Sequence, residues 1–176
     1  VATSQMAELP VISEPEPVQR LGQEQINTSM RIGKNKLFKA FRSLRRGPQP
    51  EVEVARFLTE VAGFRNTPRL YGWVELVDRE STPTVLGMLQ ETIINQGDGW
   101  TYALEYLDRY LDEAALREEP ADVVPDPHAA FAQFVRQLGV RTAELHHAFA
   151  HPSEDPAFQL EPVAREDLTE LVQRVR

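Results

Sequence analysis

The chain has 176 residues, a hydrophobic fraction of 41%, a charged fraction of 26% and a formal net charge of −8. These values are typical of a folded globular protein, and the negative charge argues against a nucleic-acid-binding surface, which needs a basic field. Cysteine is absent, which excludes disulfides and thiolate metal sites, and no apolar run approaches the ~20 residues of a membrane span. No signal peptide is evident either, so we expect a cytoplasmic location.

The first half of the chain is predicted to form short strands and one helix. Prolines among acidic residues predict that residues 1–17 form an extended lead-in. Three strands are predicted at 18–22, 29–32 and 37–41, the last two joined by a turn at Gly33-Lys34-Asn35. A helix follows from Pro50 to Gly63, because apolar residues recur at helical spacing, and two more strands are predicted at 70–77 and 84–94.

The second half is predicted to be helical. A polar connector at 95–99 ends in Asp98, a plausible cap for a helix with Trp100 and several leucines on one face. Asp126-Pro127 opens a long second helix that ends near Phe149, and a third begins at Leu168. We therefore expect an α+β protein in which residues 18–94 form an antiparallel sheet with one inserted helix and residues 100–176 are helices.

Lys39, on the third predicted strand, is the candidate for chemistry. Kinases hold nucleotide phosphates with a lysine in this position and orient it with a glutamate on the next helix. Glu53 is the expected partner and Glu60 is the competitor. The alternative is an ordinary surface ion pair or no contact, since this basic stretch is typical of a solvated face: Lys34, Lys36, Lys39, Arg42, Arg45 and Arg46.

Several motifs in order resemble the maltokinase family, including the maltokinase domains fused to trehalose synthase. Glu24-Gln25-Ile26-Asn27-Thr28-Ser29 resembles the family's phosphate loop, with Ile26 where the family usually has Ser. Leu37-Phe38-Lys39-Ala40-Phe41-Arg42 is similar to its lysine-bearing strand, and Gly47-Pro48-Gln49-Pro50-Glu51-Val52-Glu53 to the turn into its helix. Asn95-Gln96-Gly97-Asp98-Gly99-Trp100-Thr101 matches its hinge region.

The resemblance implies a partial kinase-like fold: an N-lobe at 18–94, a hinge at 95–99 and the first helices of a C-lobe at 100–176. It implies ATP, with Mg²⁺, as the phosphoryl donor and maltose as the acceptor, giving maltose 1-phosphate. Lys39 would reach the nucleotide phosphates, with Glu53 as its orienting partner. The other implied nucleotide-binding residues are Gln25, Asn27, Thr28 and Ser29 in the loop and the backbone of Gln90, Glu91 and Thr92 at the adenine edge.

The catalytic aspartate of such kinases is not found here. No His-Gly-Asp or His-x-Asp sequence occurs in these 176 residues, so we assign no catalytic or metal-binding residue and expect the Mg²⁺ ligands downstream. We accordingly expect a truncated, inactive front half that self-associates through its exposed helices. Two alternatives remain open: the N-lobe of another sugar or aminoglycoside kinase, and a non-catalytic, pseudokinase-like module that binds a partner protein.

Overall fold

The computed structural model describes residues 1–10, 14–22, 27–116 and 126–175. It confirms the expected α+β class: five antiparallel strands with one inserted helix are followed by three helices. The strands are β1 Val18–Leu21, β2 Asn27–Ile32, β3 Lys36–Phe41, β4 Leu70–Val77 and β5 Pro83–Glu91. The helices are α1 Pro50–Arg56, α2 Gly99–Ala115, α3 Ala129–Phe149 and α4 Arg165–Val175.

The strand order is β1-β2-β3-β5-β4, so β3 lies at the centre of the sheet. In the ladder Ser29 pairs with Lys39, and Lys39 pairs with Met88 on the other side. The close packing of β3 and β5 requires Gly87, because a Cβ there would lie 2.5 Å from the Lys39 carbonyl oxygen. The central strand is thus tightly fixed between its neighbours.

The hydrophobic core lies between one face of the sheet and α1. Its buried members are Phe41, Val52, Leu70, Val85 and Met88. Val74 pairs with Gly87 and Glu75 pairs with Val85, so β5 has one extra residue at this point. Val85 and Met88 are three residues apart and would face opposite sides of a regular strand. The extra residue places both on the same face. This core holds α1 against β3, the strand that carries Lys39.

Helix α1 begins at Pro50, as its sequence predicts, but the α-helical part ends at Arg56, before the predicted end at Gly63. The Gln49 side chain accepts a hydrogen bond from the Glu51 N–H, and Pro50 occupies the first turn. The chain continues beyond Arg56 as a wider π-helical turn over Phe57–Val61. Gly63, at φ 61°, follows the end of that turn.

Residues 1–9 differ from the predicted extended lead-in. Ala2 forms a β-bridge with Gly72 at the edge of β4, and Ser4–Glu8 form a 3₁₀ helix. Gly72 permits this contact, since a Cβ there would lie 2.5 Å from the Val1 carbonyl oxygen. The prolines that suggested a linker all follow this segment, the first being Pro10.

The helical half is much less buried than its apolar pattern predicted. Helices α2, α3 and α4 contain no buried residue, and Trp100 is 74% exposed. The side chains of Tyr102 and Tyr106 instead pack against the aromatic rings of α3. No helix within the described ranges is long and apolar enough to cross a membrane.

Helix α3 reaches the sheet half through an aromatic stack. Phe57, which is 2% exposed, stacks on Phe158 with ring centroids 4.0 Å apart and lies 6.2 Å from the ring of Phe149. Asn66 also donates a hydrogen bond to the Glu144 carboxylate across 3.0 Å. The C-terminal end of α3 is therefore anchored to the end of the α1 segment.

Candidate functional site

Lys39 lies at the middle of the central strand, facing α1. Its ammonium forms an ion pair with the Glu51 carboxylate, with Nζ and Oε1 2.6 Å apart. The side chain of Lys39 is 17% exposed and that of Glu51 is 38% exposed. A partly desolvated lysine held by a carboxylate is ordered.

Glu51 takes the place predicted for Glu53, and the reason is the phase of the helix. Glu51 follows Pro50 in the first turn of α1, next to the strand that carries Lys39. Residues two apart on a helix point about 200° apart, so Glu53 cannot face the same lysine. The competitor Glu60 instead accepts hydrogen bonds from the backbone N–H and the hydroxyl of Ser4.

The start of β2 brings two of the predicted loop residues to this face. Ser29 is 3% exposed and directly opposite Lys39, while Asn27 pairs with Phe41 two residues along. Successive strand residues point to opposite faces, so Thr28 lies on the other side of the sheet. Gln25 lies outside the described residues.

The basic stretch is not uniformly a solvated face. Lys36 is 3% exposed and forms an ion pair with Glu16, because it too lies on the central strand. Arg46 pairs with Asp78 and Glu80, and the Gly47 N–H donates to the Pro83 carbonyl oxygen across 2.8 Å. The segment between β3 and α1 is thereby fixed to the β4–β5 hairpin.

A cleft opens beside the Lys39–Glu51 pair. Its volume is about 440 Å³, within the range of small-ligand sites. It lies between the start of β2, the segment after β3 and the first turn of α1. The lining includes Asn27, Phe41, Ser43, Arg45, Gln49 and Glu51.

At the end of β5, the backbone N–H groups that the resemblance assigned to adenine binding already form hydrogen bonds within the protein. Gln90 lies within the ladder, paired with Leu37 and Leu70. The Glu91 N–H donates to the Arg69 carbonyl oxygen and the Thr92 N–H to that of Asn35, each across 2.8 Å. Both backbone donors are already engaged, although Thr92 Oγ1 is buried without a partner among the described residues.

The Glu91 side chain is also engaged, in an ion pair with Arg69. Its carboxylate accepts from Arg69, with Oε1 3.2 Å from Nη2, and this hydrogen bond holds the pKa of Glu91 below its ordinary value. Arg69 is further paired with Glu8 across 3.0 Å. We conclude that Glu91 stabilises the ends of β4 and β5.

The sequence reasoning missed Glu51, Gln49 and Arg45. The predicted helix start at Pro50 already places Glu51 in the first turn together with Glu53, so only the packed orientation of α1 distinguishes the two glutamates. Among the described residues, no group of three or more His, Asp or Glu side chains could hold a metal ion. A scan of the sequence against models of known protein families finds no match.

Proposed function

We propose that this chain binds the phosphates of ATP as the nucleotide-binding part of a small-molecule kinase. The observation that carries the proposal is the Lys39–Glu51 ion pair between the central strand and α1. Such a pair orders an ammonium next to Glu51, a residue that lines the cleft, and an ordered ammonium is what the strand lysine supplies in phosphoryl-transfer enzymes. The resemblance of the motifs to maltokinases makes maltose the proposed acceptor in the complete reaction.

The residues fit the phosphate end of a nucleotide better than its adenine end. Ser29 and Asn27 share the face of Lys39, and the adjacent cleft includes the polar side chains of Ser43, Arg45 and Gln49 in its lining. By contrast, the N–H groups of Glu91 and Thr92 are occupied, so adenine recognition has to use other groups. We therefore propose a site that derives most of its affinity from phosphate contacts.

Chemical turnover is not proposed for these residues by themselves. The described part of the chain supplies no carboxylate cluster for magnesium, and the sequence contains no His-Gly-Asp loop. Metal ions and a positioned base account for most of the rate in this class of reaction. The proposed role is nucleotide binding, with Mg²⁺ ligands and the catalytic aspartate outside these residues.

The second candidate is a module that binds a protein partner. It is favoured by the exposed apolar side chains of α2, α3 and α4, such as Leu111, Leu138 and Leu171. This role does not need a positioned lysine, so the two functions are separable by mutation of Lys39.

Isothermal titration calorimetry with magnesium-ATP tests the first proposal. We expect saturable binding that Lys39→Met weakens at least about tenfold, because a charge-assisted contact to phosphate is lost while the side-chain length is kept. Lys34→Met is the matched control, since Lys34 is an exposed lysine in the β2–β3 turn. Equal affinity of both variants and the wild type, or no binding at all, would favour the protein-binding module.

A phosphoryl-transfer assay completes this test. With maltose and magnesium-ATP, phosphorus NMR is expected to show no maltose 1-phosphate from this chain. Appearance of that product, abolished by Lys39→Met, would show that these residues contain a complete catalytic site and would contradict the proposed binding-only role.

A further inference from the structure

Arg45 is an arginine that the proposed nucleotide site has not used. It lies in the segment between β3 and α1 and lines the cleft beside Glu51. Its neighbour Arg46 points away, to Asp78 and Glu80 on the β4–β5 hairpin. Among the described residues, no carboxylate forms an ion pair with Arg45, although the chain as a whole carries a net charge of −8.

The position of Arg45 is fixed by the contacts of the next two residues. Arg46 and Gly47 both form β-bridges with Thr84, and the Gly47 N–H donates to Pro83 across 2.8 Å. Gly47 has φ 95°, a conformation that residues with side chains rarely adopt. The backbone beside Arg45 is therefore held in place, so the ordering cost of binding a ligand falls on the Arg45 side chain and not on the segment that carries it.

The charge at the cleft wall favours an anion. Glu51 is paired with Lys39, and Arg45 forms no ion pair with any carboxylate in the part of the chain that the structure describes. Ser43, Asn27 and Gln49 add uncharged polar side chains to the same wall. A guanidinium has five donors in a planar fork that matches phosphate oxygens in pairs.

We propose that Arg45 is a second phosphate-binding residue, which contacts the polyphosphate of the nucleotide from the wall of the cleft. The ligand class is a di- or triphosphate, because a chain of phosphates offers separate oxygens to two cationic side chains, Lys39 and Arg45. This inference rests on the proposed nucleotide site for its biological ligand. The binding of inorganic polyphosphate does not depend on that proposal.

Titration calorimetry with tripolyphosphate and with magnesium-ATP tests the role of Arg45. Arg45→Gln is expected to weaken tripolyphosphate binding about tenfold and to reduce its salt dependence, since one charge-assisted contact is lost. Arg45→Lys, which keeps the charge but not the fork, is expected to fall between the wild type and Arg45→Gln. The matched control is Arg79→Gln, an exposed arginine in the β4–β5 turn, which should bind as the wild type does.

The outcomes separate this inference from the proposed function. Tripolyphosphate affinity of Arg45→Gln within about twofold of wild type would overturn the role of Arg45, even if Lys39→Met still abolished ATP binding. Tripolyphosphate binding that depends on Arg45, without any ATP binding, would support the subsite and overturn the nucleotide proposal. Failure of the wild type to bind either ligand would overturn both. Because Arg45 is exposed, Arg45→Gln should keep the thermal unfolding transition of the wild type, which circular dichroism can verify.

Discussion

Lys39 and Glu51 lie on different elements, and both are shielded from solvent to some degree. The exposed fractions of 17% and 38% place their ion pair between a surface pair and a buried one. Exposed pairs contribute up to about 1 kcal/mol, whereas breaking a buried pair costs more because one charge is left without a partner. The 2.6 Å contact should therefore be measurable by mutation.

A double-mutant cycle between Lys39 and Glu51 tests this contact. Lys39→Met and Glu51→Gln should show a coupling free energy of about 0.5–1 kcal/mol in urea unfolding, because each single change removes the ion pair between the two side chains. The same cycle with Glu53→Gln should give a coupling close to zero, since Glu53 points to another side of α1.

Glu53 is a close control for Glu51, because both are glutamates in the same helix. Strong coupling of Lys39 to Glu53, and none to Glu51, would mean that α1 is rotated relative to the arrangement described above. Such a result would restore the orienting role that the sequence resemblance assigned to Glu53.

At the scale of whole elements, the strands and helices could be predicted because their signals are local. Alternation, helical spacing and caps such as Asp98 place each element within a few residues of its observed bounds. The bridge between Ala2 and Gly72 could not be predicted, since it depends on which strand edge is left open. Nothing in the sequence reveals that choice.

The residues of the candidate site show the same difference between local signals, which the sequence reveals, and packing, which it does not. Lys39 was found from its strand, and Ser29 from its loop motif. Glu51 was missed because Glu51 and Glu53 both lie in the first turn of α1, and the sequence does not reveal which of them faces β3 after the helix packs on the sheet. The role of Arg45 depends on the cleft, which exists only after β2, β3 and α1 are packed together.

The pair of Arg69 and Glu91 joins the ends of β4 and β5 and gives the sheet a pH dependence. A hydrogen bond from Arg69 lowers the pKa of Glu91 below its ordinary value of 4.5 in the folded protein. The folded state thus binds this proton less readily than the unfolded state does. The resulting stability is fully present above pH 4.5 and is lost as the pH falls through the lower folded value.

Glu91→Gln should therefore destabilise the protein near neutral pH and have less effect in acid. Urea unfolding from about pH 7 to about pH 3 should show the wild-type and variant curves converging as Glu91 becomes protonated. In an Arg69→Gln background the effect of Glu91→Gln should be smaller and nearly independent of pH. A difference between wild type and Glu91→Gln that persists unchanged to the lowest pH would contradict this origin.

For the molecule as a whole, two forces act on its association in opposite directions. The net charge of −8 repels a second copy, but at physiological salt this repulsion is screened beyond about 8 Å. Leu111, Leu138 and Leu171 are 61%, 56% and 55% exposed, and burial of the part of each side chain that is still exposed would stabilise a complex by roughly 1 kcal/mol. The apolar contribution acts at contact and is not screened, so we expect association to prevail at high protein concentration.

Size-exclusion chromatography with light scattering should accordingly give a mass above the 20.0 kDa of one chain, and the excess should increase with salt as repulsion is screened. Leu138→Glu and Leu171→Glu should shift the protein toward the monomer, because each places a carboxylate in the apolar contact. Val77→Glu makes the same kind of change at an exposed position on β4 and should leave the mass unaltered. A wild-type chain that stays monomeric at every salt concentration, or an equal effect of Val77→Glu, would show that the helices do not mediate association.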